Sequence, residues 1–273
     1  MGLLLLIIVF TALGGVLSVL AASAFLWLND AQRAKVLPHG ISFATGALLA
    51  VAFWGLIPHA LEDVDPDRVQ GLSAVIMVGI LGFFVLEKLL VWRHCHHDHC
   101  EAHANEGHNH HPAGMLILLG DAIHNFVDGI LIAAAFLTDV KLGIVTSLAV
   151  AAHEIPQEVG DFAILLQSGY TKGKALFYNV LASFSTVVGG VLAYFSLEDL
   201  HGALPYFLVM AASSFIYIAV ADLIPTLHEK TDIKASIQQI ALIAAGVLLI
   251  CSLHGFAHDI ELESHDKQHS MPD

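Results

Sequence analysis

The chain has 273 residues, of which 56% are hydrophobic and 13% charged, roughly half the charged share of a soluble domain, and its mean hydropathy is +0.73. That balance excludes a soluble globular protein and predicts a chain whose partner is the lipid bilayer. The formal net charge of −14 leaves no basic patch for phosphates and excludes nucleic acid, while three cysteines are too few for a disulfide framework.

Polar, Pro and Gly clusters divide the chain into eight apolar segments: 2–28, 37–59, 70–92, 113–137, 141–168, 173–196, 203–227 and 236–258. They predict an all-α integral membrane bundle of eight transmembrane helices, because lipid offers nothing to an exposed strand edge and the segments exceed barrel-strand length. The first segment carries small residues at 21–24 that resemble a leader cleavage site. No Lys or Arg precedes it and it is too long for a leader core, so it is read as a span.

If the connections alternate sides, Arg33, Lys35, Lys88, Arg93, Lys172, Lys174, Lys230 and Lys234 share one side, and Arg68, Lys141 and Lys267 the other. This positive-inside asymmetry puts both termini outside the cytoplasm. The expectation is one transmembrane domain, 1–273, with a cytoplasmic loop at 93–112 and an extracytoplasmic acidic and His-bearing tail at 259–273. LIPHALED at 56–63 and DLIPTLHEK at 222–230 end the second and seventh spans alike, which suggests an inverted-repeat transporter architecture.

The 93–112 loop, RHCHHDHCEAHANEGHNHHP, holds eight of the chain's 18 histidines. Imidazole and thiolate suit zinc and its first-row neighbours, so His94, Cys95, His96, His97, His99, Cys100, His103, His108, His110 and His111 are expected to capture metal. Their irregular spacing describes a multivalent binder rather than a closed structural site. Cys251 lies in an apolar span and is read as packing.

Two neighbouring spans break the apolar rule. GDAIHNFVDG in the fourth carries Asp121, His124, Asn125 and Asp128, and AAHEIPQEVGD in the fifth carries His153, Glu154, Gln157, Glu158 and Asp161. An ionisable group at mid-membrane costs about 2.5–3.5 kcal/mol on insertion scales, and a shared cation is the most economical compensation. His124 and Asp128 stand one turn apart on one helical face with Asn125 beside them, and His153 and Gln157 make the same i, i+4 pair. Pro156 removes a backbone N–H and is expected to kink the fifth span beside this cluster.

HNFVDG and HEIPQEVGD, with eight spans and a His-rich loop between the third and fourth, resemble the ZIP family of divalent metal transporters, in the branch whose fifth span reads HEIPHE. The resemblance implies a binuclear mid-membrane site. His124, Asp128, His153 and Gln157 would form one metal position, and Asn125, Glu154 and the shared Asp128 and Gln157 the second. It implies metal movement into the cytoplasm by one helix bundle moving against another, no required cofactor, and Zn²⁺, Fe²⁺, Mn²⁺ or Cd²⁺ as substrate. A multi-pass protein of the plasma membrane is expected, and a homodimer is compatible with this reading.

Departures from the family pattern predict weaker binding or altered preference. Gln157 stands where the branch has His; Val51 and Gly55 stand where many relatives place Asp and His; and the sixth span offers Ser183, Ser185 and Thr186 in place of Glu. Asp121, Glu158, Asp161, His59 and His228 are candidates for the pathway or for accessory contacts, and His39, His254 and His258 for waystations near the span ends. Two rivals carry less. A metal exporter also accommodates a cytoplasmic His loop. An intramembrane metalloprotease fits His153-Glu154 but lacks the second His of H-E-x-x-H, which is Gln157.

Overall fold

The computed structural model describes residues 2–24, 27–28, 30–62, 64–95, 111–197, 201–228 and 232–269. Among them there is no strand, and eight long helices follow one another. α1 spans Gly2–Ala24 with a break at Gly15. α2 runs from Asp30–Ala50 through a π-helical turn, Val51–Leu56, into Ile57–Leu61. α3 is Pro66–Cys95, α4 His111–Thr138, α5 Val140–Gln167 and α6 Lys172–Leu197. α7 is Leu204–His228, with a π-helical turn at Ile218–Leu223, and α8 is Ile233–His269.

Seven of these helices are long and apolar enough to cross a membrane. The remaining one, α5, is 28 residues long and falls short in hydropathy because it carries the polar residues singled out above. Helix α8 continues through most of the segment expected as a tail, and the His-rich loop is reduced at both ends, since α3 runs to Cys95 and α4 starts at His111. The rest of that loop, 96–110, lies outside the described residues.

The helices pack as two groups. In one, α4 lies along α6 while α1 packs on α5 and α6; in the other, α2 lies along α8, and α7 packs on α3 and α2. Glycine makes the tightest crossings. A Cβ on Gly129 of α4 would collide with the Thr186 carbonyl of α6, and one on Gly189 with the Phe126 carbonyl. In the second group Gly46 abuts the Ile243 carbonyl of α8. Backbones this close gain dispersion contacts, which replace the hydrophobic drive that helices lack inside lipid.

The second group repeats itself. The π-helical turns of α2 and α7 each precede Ile-Pro, at Pro58 and Pro225, and each closes with an i+5 bond, Ile57 N–H to the Ala52 carbonyl and Ile224 N–H to the Ala219 carbonyl. The cause is local: a proline has no N–H to give and its ring excludes the carbonyl one turn back, so the preceding turn widens. Gly46 matches Ser213, Pro58 matches Pro225, Ile76 matches Ile243 and Gly79 matches Gly246, all 167 positions apart. The contacts correspond as well. Gly46 abuts the Ile243 carbonyl while Ser213 Oγ donates to the Ile76 carbonyl at 3.1 Å. Since α2 and α7 enter the bundle from opposite ends, this is the inverted repeat expected from the two Leu-Ile-Pro segments.

Gly129→Val is expected to destabilise the protein by at least about 1–3 kcal/mol, the usual cost of overpacking. The readout is thermal unfolding in detergent, with Gly82→Val as the control that leaves stability unchanged, because a Cβ there meets nothing within 4 Å.

Candidate metal centre

Helices α4 and α5 run antiparallel and meet along the faces that carry their polar residues. His124, Asp128, His153 and Glu154 bring one ligand atom each to a common point. His124 Nε2 lies 3.4 Å from His153 Nε2, 3.4 Å from Glu154 Oε1 and 3.8 Å from Asp128 Oδ2. His153 Nε2 lies 3.3 Å from Asp128 Oδ2 and 3.5 Å from Glu154 Oε1. Four atoms around a zinc ion at about 2.0–2.1 Å would be about 3.3–3.4 Å apart along the edges of the tetrahedron. The observed edges therefore enclose a space of the right size for a four-coordinate first-row ion.

The electrostatics point the same way. His153 Nδ1 lies 3.2 Å from the Ala149 carbonyl, which can only accept, so the ring proton belongs on Nδ1 and Nε2 presents its lone pair to the cluster. Asp128 and Glu154 are fully buried, and none of their four carboxylate oxygens has a hydrogen-bond partner. Two imidazole nitrogens and two buried carboxylates thus converge on one point, an arrangement that a cation stabilises.

The structure groups these residues differently from the expectation. Glu154 joins His124, Asp128 and His153 rather than a separate position. Asn125 is turned aside: its amide donates to Asp121 Oδ1 at 2.8 Å, and its carbonyl oxygen accepts from Thr186 Oγ1 of α6 at 2.7 Å. Asp121, Glu158 and Asp161 form a cluster of their own. The three small polar residues of α6 act as positioning donors. Ser183 donates to Glu158 Oε1 at 2.8 Å and Ser185 to the Ala122 carbonyl at 2.6 Å, besides the Thr186 bond.

A cavity of about 430 Å³ leads to the four-ligand cluster, lined by His124, His153, Pro156 and Gln157 and by Ile41, Phe83, Leu86 and the second half of α7. Gln157 is therefore a wall residue of this cavity, partly buried beside the two histidines. Pro156 lies inside a continuous α5, with its ring buried on the same wall. Val51 is fully buried and Gly55 packs toward Leu142. His39, His59 and His228 do not line the cavity; His59 Nδ1 lies 2.9 Å from the Gly55 carbonyl and His39 Nδ1 2.7 Å from that of Lys35. The side chains of His254, His258, His94, Cys95 and His111, and the remaining metal-capture residues between 96 and 110, lie outside the described residues.

Beyond the cluster, away from the cavity, Ala133, Ala134, Ala135 and Phe136 of α4 pack with Leu142, Val145 and Ala149 of α5 and with the first half of α7 in one buried apolar core. The cluster is thus reached from one end of the bundle and sealed from the other.

The family model "ZIP Zinc transporter" matches residues 91–254, which include every helix that contributes to this centre. The chain belongs to the ZIP zinc transporter family. Among its relatives, zinc transporter ZIP13 of Mus musculus is 33% identical over 254 residues, covering 79% of this chain and 69% of that protein. ZIP13 of Pongo abelii is also 33% identical, over 226 residues, with 77% and 64% covered. Zinc transporter zipt-7.2 of Caenorhabditis elegans is 28% identical, covering 88% of this chain and 64% of its own. The chain therefore spans roughly two thirds of the length of these ZIP relatives.

Sequence reasoning passed over the α7 wall. Asp222, Ser214, Tyr217 and Thr226 line the cavity, and the Phe215 ring stands 6.1 Å from that of His153. One signal was present: Asp222 is an acid within an apolar span, which is itself a functional pointer. Thr186→Val leaves the Asn125 carbonyl oxygen buried without its donor and is expected to cost about 1–3 kcal/mol in thermal unfolding, whereas Thr186→Ser keeps the hydroxyl and most of the stability.

Proposed function

We propose that this ZIP-family chain moves divalent transition-metal ions, Zn²⁺ first among them, across the membrane into the cytoplasm through the α4–α5 centre. The tetrahedral spacing of two imidazole nitrogens and two unpaired carboxylate oxygens supports this reading most directly. His₂ with two carboxylates suits Zn²⁺ and leaves Fe²⁺, Mn²⁺ and Cd²⁺ as competing substrates. That relatives are named zinc transporters agrees with it.

The position of the cavity supports the inward direction. Its walls are the later halves of α3, α5 and α7 and the earlier halves of α2 and α4, the ends where Lys35, Lys88, Lys172, Lys174 and Lys234 cluster. Under the positive-inside rule that end is cytoplasmic, and the ion in this state is poised to leave inward. Conduction requires enough binding to strip water from the ion and little enough to release it. His124, 23% exposed, faces the cavity, and Asp222 stands further along its wall as an exit contact. The His-rich segment 93–112 then receives the ion on the cytoplasmic side.

In proteoliposomes, wild type is expected to take up Zn²⁺ and His153→Ala to lose at least about 90% of that uptake; unchanged uptake in the variant would sink the proposed route. Gln157→His adds an imidazole beside the two present and is expected to tighten Zn²⁺ binding about tenfold or more, or about 1.4 kcal/mol, while slowing turnover. Equilibrium dialysis and initial uptake rates check the two halves of that statement.

A further inference from the structure

Three carboxylates lie within the α1, α4, α5 and α6 group with no use in the centre described above. Asp121 of α4 and Glu158 and Asp161 of α5 each offer an oxygen, all within 4.8 Å of one another. Asp121 and Glu158 are more than nine-tenths buried. Each has one oxygen held by a neutral donor, Asn125 for Asp121 Oδ1 and Ser183 for Glu158 Oε1, both at 2.8 Å. The other oxygen of each, Asp121 Oδ2 and Glu158 Oε2, is buried without any partner. Asn179, one turn from Ser183 on α6, is fully buried with neither amide atom bonded. Among the described residues no Lys, Arg or His forms an ion pair with these three acids.

We infer that Asp121, Glu158 and Asp161 form a second divalent-cation site, made of oxygen ligands alone and suited to a hard cation of the Mn²⁺ or Mg²⁺ class. An orphaned carboxylate oxygen in an apolar bundle is costly, and here two of them face a third acid. Oxygens on opposite corners of an octahedral Mg²⁺ with bonds of about 2.0–2.1 Å are about 4.0–4.2 Å apart, a spacing within the 4.8 Å that bounds these three oxygens, and water would complete the shell. Carboxylates without imidazole or thiolate favour Mn²⁺ and Mg²⁺, whereas the neighbouring His₂ set favours Zn²⁺.

The place of this site separates it from the transported ion. Asp121 precedes His124 on α4, and Glu158 follows Glu154 on antiparallel α5, so the acids sit about one turn toward the cavity end. None of the three lines the cavity, and an ion leaving by that route does not cross them. A cation here ties α4 to α5 directly beneath the four-ligand centre and holds Asn125 through Asp121. The inference does not depend on the transport reading.

The test uses the full chain in nanodiscs, with Mn²⁺ as the probe, counted by equilibrium dialysis and by its paramagnetic resonance. His153→Ala, which takes one imidazole from the four-ligand centre, is expected to bind one more Mn²⁺ per chain than the triple variant His153→Ala, Glu158→Gln, Asp161→Asn, and wild type one more than the double variant Glu158→Gln, Asp161→Asn. Mn²⁺ is expected to raise the melting temperature of His153→Ala by more than that of the triple variant, whose metal-free melting temperature stays equal or higher because neutral amides replace buried acids. Mn²⁺ stoichiometry and an Mn²⁺-dependent rise in the folded triple variant equal to those of His153→Ala would overturn the site. Should that variant not fold, Asp161→Asn alone in the His153→Ala background, at the partly buried member, is measured by the same two readouts, and the same equality with His153→Ala would overturn the site.

Discussion

The whole arrangement depends on one constraint: ionisable side chains placed inside an apolar bundle must meet each other. Asp121, Asp128, His153, Glu154 and Glu158 are all buried, each at a cost of the order of 2.5–3.5 kcal/mol if left alone in lipid. They come together only because α4 and α5 touch along their polar faces and α6 lies against α4 with almost no side chain between. Gly129, which permits that approach at the Thr186 carbonyl, directly follows Asp128. Thr186 also holds Asn125 by its hydroxyl. A single α6 residue therefore sets both the distance between the helices and the orientation of a polar neighbour of the centre.

The second group solves a different problem with repetition. A π-helical turn before Ile-Pro, in both α2 and α7, offsets the side chains on either side of it. In α7 this turn contains Asp222, and the cavity wall runs along it. In α2 the corresponding position is Gly55, packed toward Leu142. The two halves of the repeat thus share a backbone and differ in side chain, polar where the cavity is open and apolar where the bundle is sealed.

The spans were legible because lipid enforces them: length, apolarity and punctuation located the helices to within a few residues at most ends. The polar faces were legible because a helix has a fixed period. The partition of ligands was not, because a period assigns residues to faces of one helix and says nothing about how a second helix crosses it. His153 and Glu154 are neighbours in sequence and point about 100° apart, yet both reach His124 Nε2 within 3.4 Å, since the crossing point lies between their stripes. The family resemblance implies that Asn125 is a ligand, while its orientation is set by Thr186, 61 residues later. The repeat showed in eight residues of sequence, and its real extent emerged only from backbone contacts at Gly46, Ser213, Gly79 and Gly246.

All four ligands of the proposed transport centre belong to α4 and α5, in one packing group, whereas the cavity that reaches them is walled by both groups. A displacement between the groups would therefore change which end of the bundle the ligands face without altering their mutual distances. The sealing core sets the condition for that change. Leu142 must leave Gly55, and the first half of α7 must leave Ala133 to Phe136, so the interface between groups has to be traded for another of similar apolar area. Among the described residues the sealing part of this interface is apolar, with Leu142, Phe136 and Phe215 in it, a surface that can slide in lipid with little charge stranded as it moves. The charges that cannot be stranded are those kept together on α4 and α5.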